Sequence, residues 1–438
     1  MPFDGEVEPP MKNTALLLIA VAILCLFSGA SKTFGQDSPS TYVTNEIIVK
    51  LSQPSDLAAI AAQYGLDATP LSQIGNRPVY RLRISNGVPV EQIAALLRSD
   101  SLGRVLLAEP NCTLGSPTAS EMPWTLGGSW SIGGSWSIGG SVKGSAVQWM
   151  RKQINLDAAL AVTRGQGIKI AVLDTGIDTQ HLIFAGKLLP GYDFVDNDGD
   201  PSEVGTNHVG AFGHGTHVAG LVAMVAPDAK IMPVRVLDQN GMGDAWRLAK
   251  ALIYAVNPDG DVNTHDGVDI INLSLGSTQR TDLLKKVIEA ITNDGSRPDD
   301  PDFPQIGHPG VIVVASAGNT GNTTPIYPAA SGEISGLIAV GASTPADVVA
   351  DFSTRGSWVE LMAPGQRIVS SIPGGRYGVW QGTSMSAPIV SGIAALVRSR
   401  FPQLGPKAVY EHIEATATQC TGAINKRVDA DRAVRTNP

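Results

Sequence analysis

The sequence predicts an α/β protein built on a doubly wound, mainly parallel sheet flanked by helices, preceded by a small α+β unit. Three observations carry this reading. Downstream of Gln148, short runs such as I-K-I-A-V-L and V-I-V-V-A-S are apolar at nearly every position, the pattern of strands buried on both faces. Helical stretches separate these runs, so that strand and helix alternate. Between Asn45 and Asn111, by contrast, strands with period-two alternation are interleaved with two short amphipathic helices.

Taken from the N-terminus, Lys12 precedes an apolar run, Ala15–Phe27, followed by Ser28, Gly29 and Ala30. A charged start, a short apolar centre and small residues make a secretory signal, assigned to residues 1–35, and the protein is expected to be secreted. The run is about 13 residues, short of the roughly 20 that a spanning helix needs, so no stable membrane span is expected in the mature form. An uncleaved signal anchor is the alternative. Met1–Pro10 is acidic, which makes Met11 a second candidate start.

The small unit, residues 40–113, reads in order as strand Glu46–Leu51, helix Ser55–Tyr64 ended by Gly65, strand Pro78–Ile84, helix Val90–Arg98 and strand Arg104–Ala108. At about 65 core residues it is marginal on its own. Residues 114–146 form a Gly/Ser-rich linker in which a W-x-x-G-G-S hexapeptide starts at Trp124, Trp130 and Trp136. It reads either as a flexible connector or as a row of tryptophans that docks onto another surface. The remainder, residues 147–438, carries predicted strands Ile168–Leu173, Ile231–Val236, Val268–Leu275, Val311–Ser316 and Leu337–Gly341. Predicted helices are His214–Val225, Trp246–Val256, Thr281–Asn293 and Ser384–Arg400. In such a sheet the active site lies beyond the carboxyl ends of the strands.

Composition narrows the partners. The chain has 438 residues and a net charge of -8, so there is no basic field to hold nucleic acid or anionic lipid. Of three cysteines, Cys25 lies in the signal, and the sequence leaves open whether Cys112 and Cys420 pair. No Cys-x-x-Cys occurs, which removes a cysteine zinc site.

The residues that carry chemistry are spread over the larger unit. Asp174 closes the first strand in A-V-L-D-T-G-I-D, and His214 opens a helix in H-G-T-H-V-A-G. Ser384 stands at a helix start in Q-G-T-S-M-S-A-P, and Asn319 follows a buried strand in A-S-A-G-N-T-G. Each has an ordinary reading by itself: a turn aspartate, a helix cap, a loop asparagine. Together they supply a serine nucleophile, an imidazole base, a carboxylate to orient it, and oxyanion donors from Asn319 and a helix N-terminus. His217 is three positions from His214, whereas zinc hydrolase helices space their histidines four apart around a glutamate, so a metal role for this pair is the weaker alternative.

In this order the motifs resemble the subtilisin-like serine proteases, the subtilases. The resemblance implies a subtilisin-like fold, a serine endopeptidase acting through an acyl-enzyme, and a triad of Asp174, His214 and Ser384 with Asn319 in the oxyanion hole. The segment I-N-L-S-L-G is similar to the family strand that pairs with substrate, which places Ser274, Leu275 and Gly276 along the primary specificity pocket. The upstream unit, ending in A-E-P-N, is similar to the family's inhibitory propeptide, here expected to be ferredoxin-like, so the chain is expected to be a zymogen inhibited by its own propeptide. Protein or peptide substrates, a preference for large apolar side chains, a monomeric state and no catalytic cofactor follow from the same resemblance. Structural calcium is left open. Ile183 stands where many members place a calcium aspartate, but Asp193, Asp196, Asp198 and Asp200 resemble a calcium loop of thermitase-like members. A solvated acidic turn is the other reading of that loop. The rival from another class is a subtilase fold without activity, acting as a binding protein.

Overall fold

The computed structural model describes residues 41–115, 147–206, 211–261, 263–293, 295, 310–359, 361–421 and 425–438. The expected signal and nearly all of the tryptophan-containing linker lie outside these residues.

In the small unit, strands β1 (Tyr42–Leu51), β2 (Ser72–Gln73), β3 (Val79–Arg83) and β4 (Val105–Gly115) form an antiparallel sheet in the order β2-β3-β1-β4. Helices Leu57–Tyr64 and Val90–Arg98 cover one face. Side chains alternate across a strand. Accordingly Ile47, Val49 and Leu51 pack with Ile60, Ile93 and Leu97 beneath those helices. Ile48 points the other way and joins Val79, Leu107 and Leu114 in a core shared with the larger unit. Both faces of this sheet are therefore covered, and β1 is buried without interruption from Ile47 to Leu51.

The larger unit contains a nine-stranded sheet. Its principal strands are β5 (Lys169–Asp174), β6 (Tyr192–Asp193), β7 (Lys230–Arg235), β9 (Ile270–Leu273), β10 (Ile312–Ser316), β11 (Leu337–Ser343) and β12 (Leu361–Pro364), with β15 (Thr418–Gln419) and β16 (Lys426–Arg427) at one edge. Their spatial order is β15-β16-β12-β11-β10-β9-β5-β7-β6, and all neighbours are parallel except β15 and β16. Of the three remaining strands, β13 (Ile368–Ile372) and β14 (Arg376–Trp380) make a hairpin, and β8 (Met242–Asp244) pairs with β4 of the small unit.

The continuous apolar runs have a direct physical cause. Ile170, Val172, Ile312 and Val314 face a core built with the helices His214–Val225 and Thr383–Arg400. Ala171, Leu173, Val313 and Ala315 face the opposite core, built with Ala245–Val256 and Asp282–Ile291. A strand with helices on both sides has no polar face to show. From β5 the chain crosses to β7 on one side, and β9 lies on the other. This is the topological switch point, and the crevice beyond the carboxyl ends of β5 and β9 is where a site is expected. One predicted boundary shifts for that reason: the strand expected over Val268–Leu275 ends at Leu273, and Ser274 to Gly276 run on into the crevice. Among the described residues no helix is long and apolar enough to cross a membrane.

Candidate active site

Asp174 is the last residue of β5, and His214 the first of its helix. Both are fully buried, and His214 Nδ1 lies 2.6 Å from Asp174 Oδ1, which also accepts the Thr175 N–H at 2.8 Å. A bond at Nδ1 fixes the ring's orientation. Among the described residues His214 Nε2 has no hydrogen-bond partner. Ser384 occupies the first turn of its helix, and its Oγ donates to the Ser274 carbonyl at 3.4 Å, while Ser274 Oγ donates to the Ser384 carbonyl at 2.9 Å. The serine is thus tied to Ser274, and among the described residues it makes no hydrogen bond to His214.

Asn319 lies three residues beyond the end of β10. Its Oδ1 accepts the Thr383 N–H at 2.9 Å and the Thr383 hydroxyl at 3.1 Å. That anchors the amide by its oxygen, and Nδ2 is buried without a partner among the described residues. A buried donor left unsatisfied is costly unless a ligand completes it. Anchoring the oxygen while freeing the nitrogen is what an oxyanion donor beside a helix N-terminus requires.

Several residues of the site carry no sequence signal. Glu203, half-buried, accepts from the Thr175 hydroxyl at 2.5 Å, the Gly213 N–H at 2.9 Å, and the hydroxyl and N–H of Thr216 at 2.7 and 3.2 Å. It clamps the turn after Asp174 to the first turn of the histidine helix. Burial pushes its carboxyl up to about 7, against the pull of these hydrogen bonds. Trp380, at the end of β14, stacks on both histidines: its ring centroid is 4.8 Å from His217 at an interplanar angle of 3°, and 6.1 Å from His214 at 28°. Burial drives the His217 imidazole down to about 3, so it stays neutral. The only hint of either residue in the sequence is position: Glu203 falls between the Asp174 and His214 motifs, Trp380 just before G-T-S-M-S.

The small unit reaches into this crevice. Its last strand, β4, pairs antiparallel with β8 through Gly115 opposite Met242 and Leu114 opposite Gly243. On its other edge Gly115 exchanges two backbone bonds with Gly276, at 3.0 and 2.9 Å. The strand therefore lies between β8 and the Ser274–Gly276 segment, hydrogen-bonded on both sides, as an extended peptide adds to two sheet edges. Leu114 is buried. Glu109 accepts the N–H groups of Asp282 and Leu283, and Asn111 Oδ1 accepts that of Trp246. The first-turn donors of two helices are thus capped from the small unit.

The acidic loop does not fit a cation. Arg235 donates to Asp193 and to Asp196, each at 2.5 Å, filling the place between those carboxylates. Asp198 and Asp200 bond backbone N–H groups of their own loop. Among the described residues no group of three or more His, Cys, Asp and Glu side chains is placed to hold a metal ion, which also leaves His214 and His217 without the partners a zinc site needs. Cys112 and Cys420 do not pair: both are free and buried in separate apolar clusters. Burial pushes their thiols up to about 12 and about 11, which keeps them protonated.

The chain is similar to known proteins along most of its length. The model of the Subtilase family matches residues 165–433, and that of the fervidolysin N-terminal prodomain matches residues 28–111. The thermophilic serine proteinase of Bacillus sp. (strain AK1) is 32% identical over 442 residues, covering 94% of this chain and 96% of that protein. Thermitase of Thermoactinomyces vulgaris is 36% identical over 305 residues, covering 66% of this chain and 97% of thermitase. Among solved structures, fervidolysin from Fervidobacterium pennivorans aligns with a TM-score of 0.71 at 24% identity, over 91% of this chain, which spans 62% of the fervidolysin chain. At that identity the likeness is one of fold.

Proposed function

Because the chain belongs to the subtilase family, and is a serine endopeptidase carrying an N-terminal prodomain, we propose that it is a secreted zymogen whose catalytic triad is Asp174, His214 and Ser384. The observation that carries this reading is the 2.6 Å contact between His214 Nδ1 and Asp174 Oδ1, which orients the ring and leaves Nε2 free to act as base. The Ser384 hydroxyl turns from the Ser274 carbonyl to His214 and gives its proton to Nε2 as Oγ attacks the scissile carbonyl carbon. Negative charge moves to the carbonyl oxygen, where Asn319 Nδ2 and the Ser384 N–H receive it. The imidazolium, stabilised by Asp174, returns its proton to the leaving amine as the C–N bond breaks. Water, deprotonated by the same ring, then hydrolyses the acyl-enzyme. No step calls for a cofactor.

Inhibition by the prodomain follows from its last strand, which occupies the crevice in the manner of a substrate. We assign residues 1–35 to the signal, 40–113 to the inhibitory domain, 114–146 to the linker and 147–438 to the catalytic domain, acting as a monomer on protein or peptide substrates. The strand β4 itself runs to Gly115, two residues into the segment given to the linker. N-terminal sequencing of the mature enzyme tests the assignment: a start between 116 and 147 is expected, and a start before Gly115 refutes it. For the triad, a fluorophosphonate should label Ser384, read by peptide mass spectrometry, and both labelling and hydrolysis should vanish in Ser384→Ala. Hydrolysis that survives in Ser384→Ala would overturn the reading.

A further inference from the structure

The prodomain strand supplies a register for any peptide laid in the crevice. Gly115 faces Gly276 in an antiparallel pair. Two residues further along such a peptide, a substrate residue faces Ser274, whose carbonyl oxygen is 3.4 Å from Ser384 Oγ. This is the residue whose carbonyl Ser384 attacks, so the pocket for its side chain rests on the catalytic role proposed for Ser384. Side chains two apart on a strand share a face, and directly paired residues share it too. The side chain of the reacting residue therefore projects toward the face on which a Cβ of Gly276 would stand.

That face is occupied. A Cβ built on Gly276 would lie 2.5 Å from Ile326 Cγ2, and one built on Gly318, next to Asn319, would lie 2.5 Å from Ile326 Cγ1. Two glycines from the exits of β9 and β10 thus form side walls, and one branched side chain seals the space between them. Ile326 is held firmly. The next residue, Tyr327, exchanges backbone bonds with Ser277 at 2.7 and 2.9 Å, the Ile326 carbonyl accepts the Ala330 N–H at 2.8 Å, and Ile326 itself is 8% exposed. Packed on both sides by backbone, it has no room to withdraw.

We propose that Ile326 is a specificity-determining residue, the floor of the pocket for the side chain that precedes the scissile bond, and that it restricts this position to residues the size of Gly, Ala or Ser. The large apolar preference implied by family resemblance does not hold for this chain. Close packing makes the limit sharp, since inserting a ring where an isoleucine already fills the space forces backbone movement.

The test uses the mature enzyme and peptide p-nitroanilides that differ only in the residue bearing the anilide. For the wild type, kcat/KM for the alanyl peptide should exceed that for the phenylalanyl peptide by at least about 10-fold. Ile326→Gly should raise the Phe-to-Ala ratio by about 100-fold or more, and Ile326→Val, which removes one methyl group and retains the fold, should raise it by several-fold, on the order of one methylene's worth. A wild-type enzyme that favours the phenylalanyl peptide, or a ratio unmoved in both variants, overturns the pocket. Each preparation is titrated with a fluorophosphonate. Failure of Ser384 to react in the wild type sinks the catalytic reading and the pocket with it, whereas full titration with a preference for Phe sinks the pocket alone.

Discussion

Glu203 and Asn319 illustrate opposite uses of a half-buried polar group. At Glu203 every neighbour donates. The Thr175 hydroxyl already accepts the Gly215 N–H, and that of Thr216 accepts the Asp178 N–H, so both hydroxyl protons are committed to the carboxylate. An anion satisfies all of these donors. Glu203→Gln turns one acceptor oxygen into an NH2 group facing donors, which loosens the clamp between the Asp174 turn and the histidine helix. We expect kcat to fall by roughly 10²-fold with KM little changed, because misplacement of catalytic groups acts on the chemical step. Steady-state kinetics, with a melting curve to establish folding, checks this. Asn319 is instead held by its oxygen with a donor unused. Asn319→Ala should lower kcat by about 10² to 10³-fold while leaving KM near that of the wild type. A loss seen only in KM would remove Asn319 from the oxyanion hole. Asp174, His214, Ser384 and Asn319 are all readable as motifs. Glu203 and Ile326 are not, because neither residue type nor local pattern distinguishes them, and their roles arise from neighbours that the fold brings in from elsewhere.

At the scale of elements, the docking of β4 couples inhibition to pH through Glu109. Burial at the N-terminus of the helix Asp282–Ile291 raises its carboxyl from 4.5 to about 7, opposed by the two N–H groups it accepts, with Asp282 raising it further and Arg98 lowering it. A carboxyl whose pKa is raised on docking takes up a proton as the prodomain binds. This contribution to affinity is fully present below about pH 4.5 and is lost as pH rises through about 7. The inhibition constant of added prodomain should therefore weaken by about 10²-fold between those limits, and Glu109→Gln should flatten the dependence. A wild-type constant independent of pH would dismiss the role of Glu109. The same docking explains a feature of β1 that the sequence misrepresents. The alternation in E-I-I-V-K-L reads as a strand with one wet face, yet Ile48 is as buried as Ile47, because the catalytic domain covers the second face.

For the molecule as a whole, the central pairings are distant in sequence: Ile170 lies beside Ile270 across β5 and β9, and Val314 beside Asn272 across β10 and β9. Parallel pairings of this kind are slow to form, since loop closure must precede any gain. The small unit contributes a partner strand for β8 and caps for two helices on one side of the sheet, all local to the segment that links β7 to β9 and to the helix after it. A chain beginning at residue 147 should regain activity at least about 10-fold more slowly after denaturation than the same chain refolded with residues 41–115 added. Equal rates would limit the prodomain to inhibition.

By itself the sequence determined the class of fold and most of the central strands and helices, and it pointed to the four motif residues of the proposed site. Each of these is written in short stretches: apolar runs record strands covered on both faces, and glycine-flanked motifs record tight turns at strand and helix ends. Only the tertiary structure decided that Arg235 takes the carboxylates of Asp193 and Asp196, that Cys112 and Cys420 stay apart, and that Ile326 stands between Gly276 and Gly318. Such contacts join residues separated along the chain, and a linear pattern holds no record of which distant side chain fills a space until the sheet and its helices have closed around it.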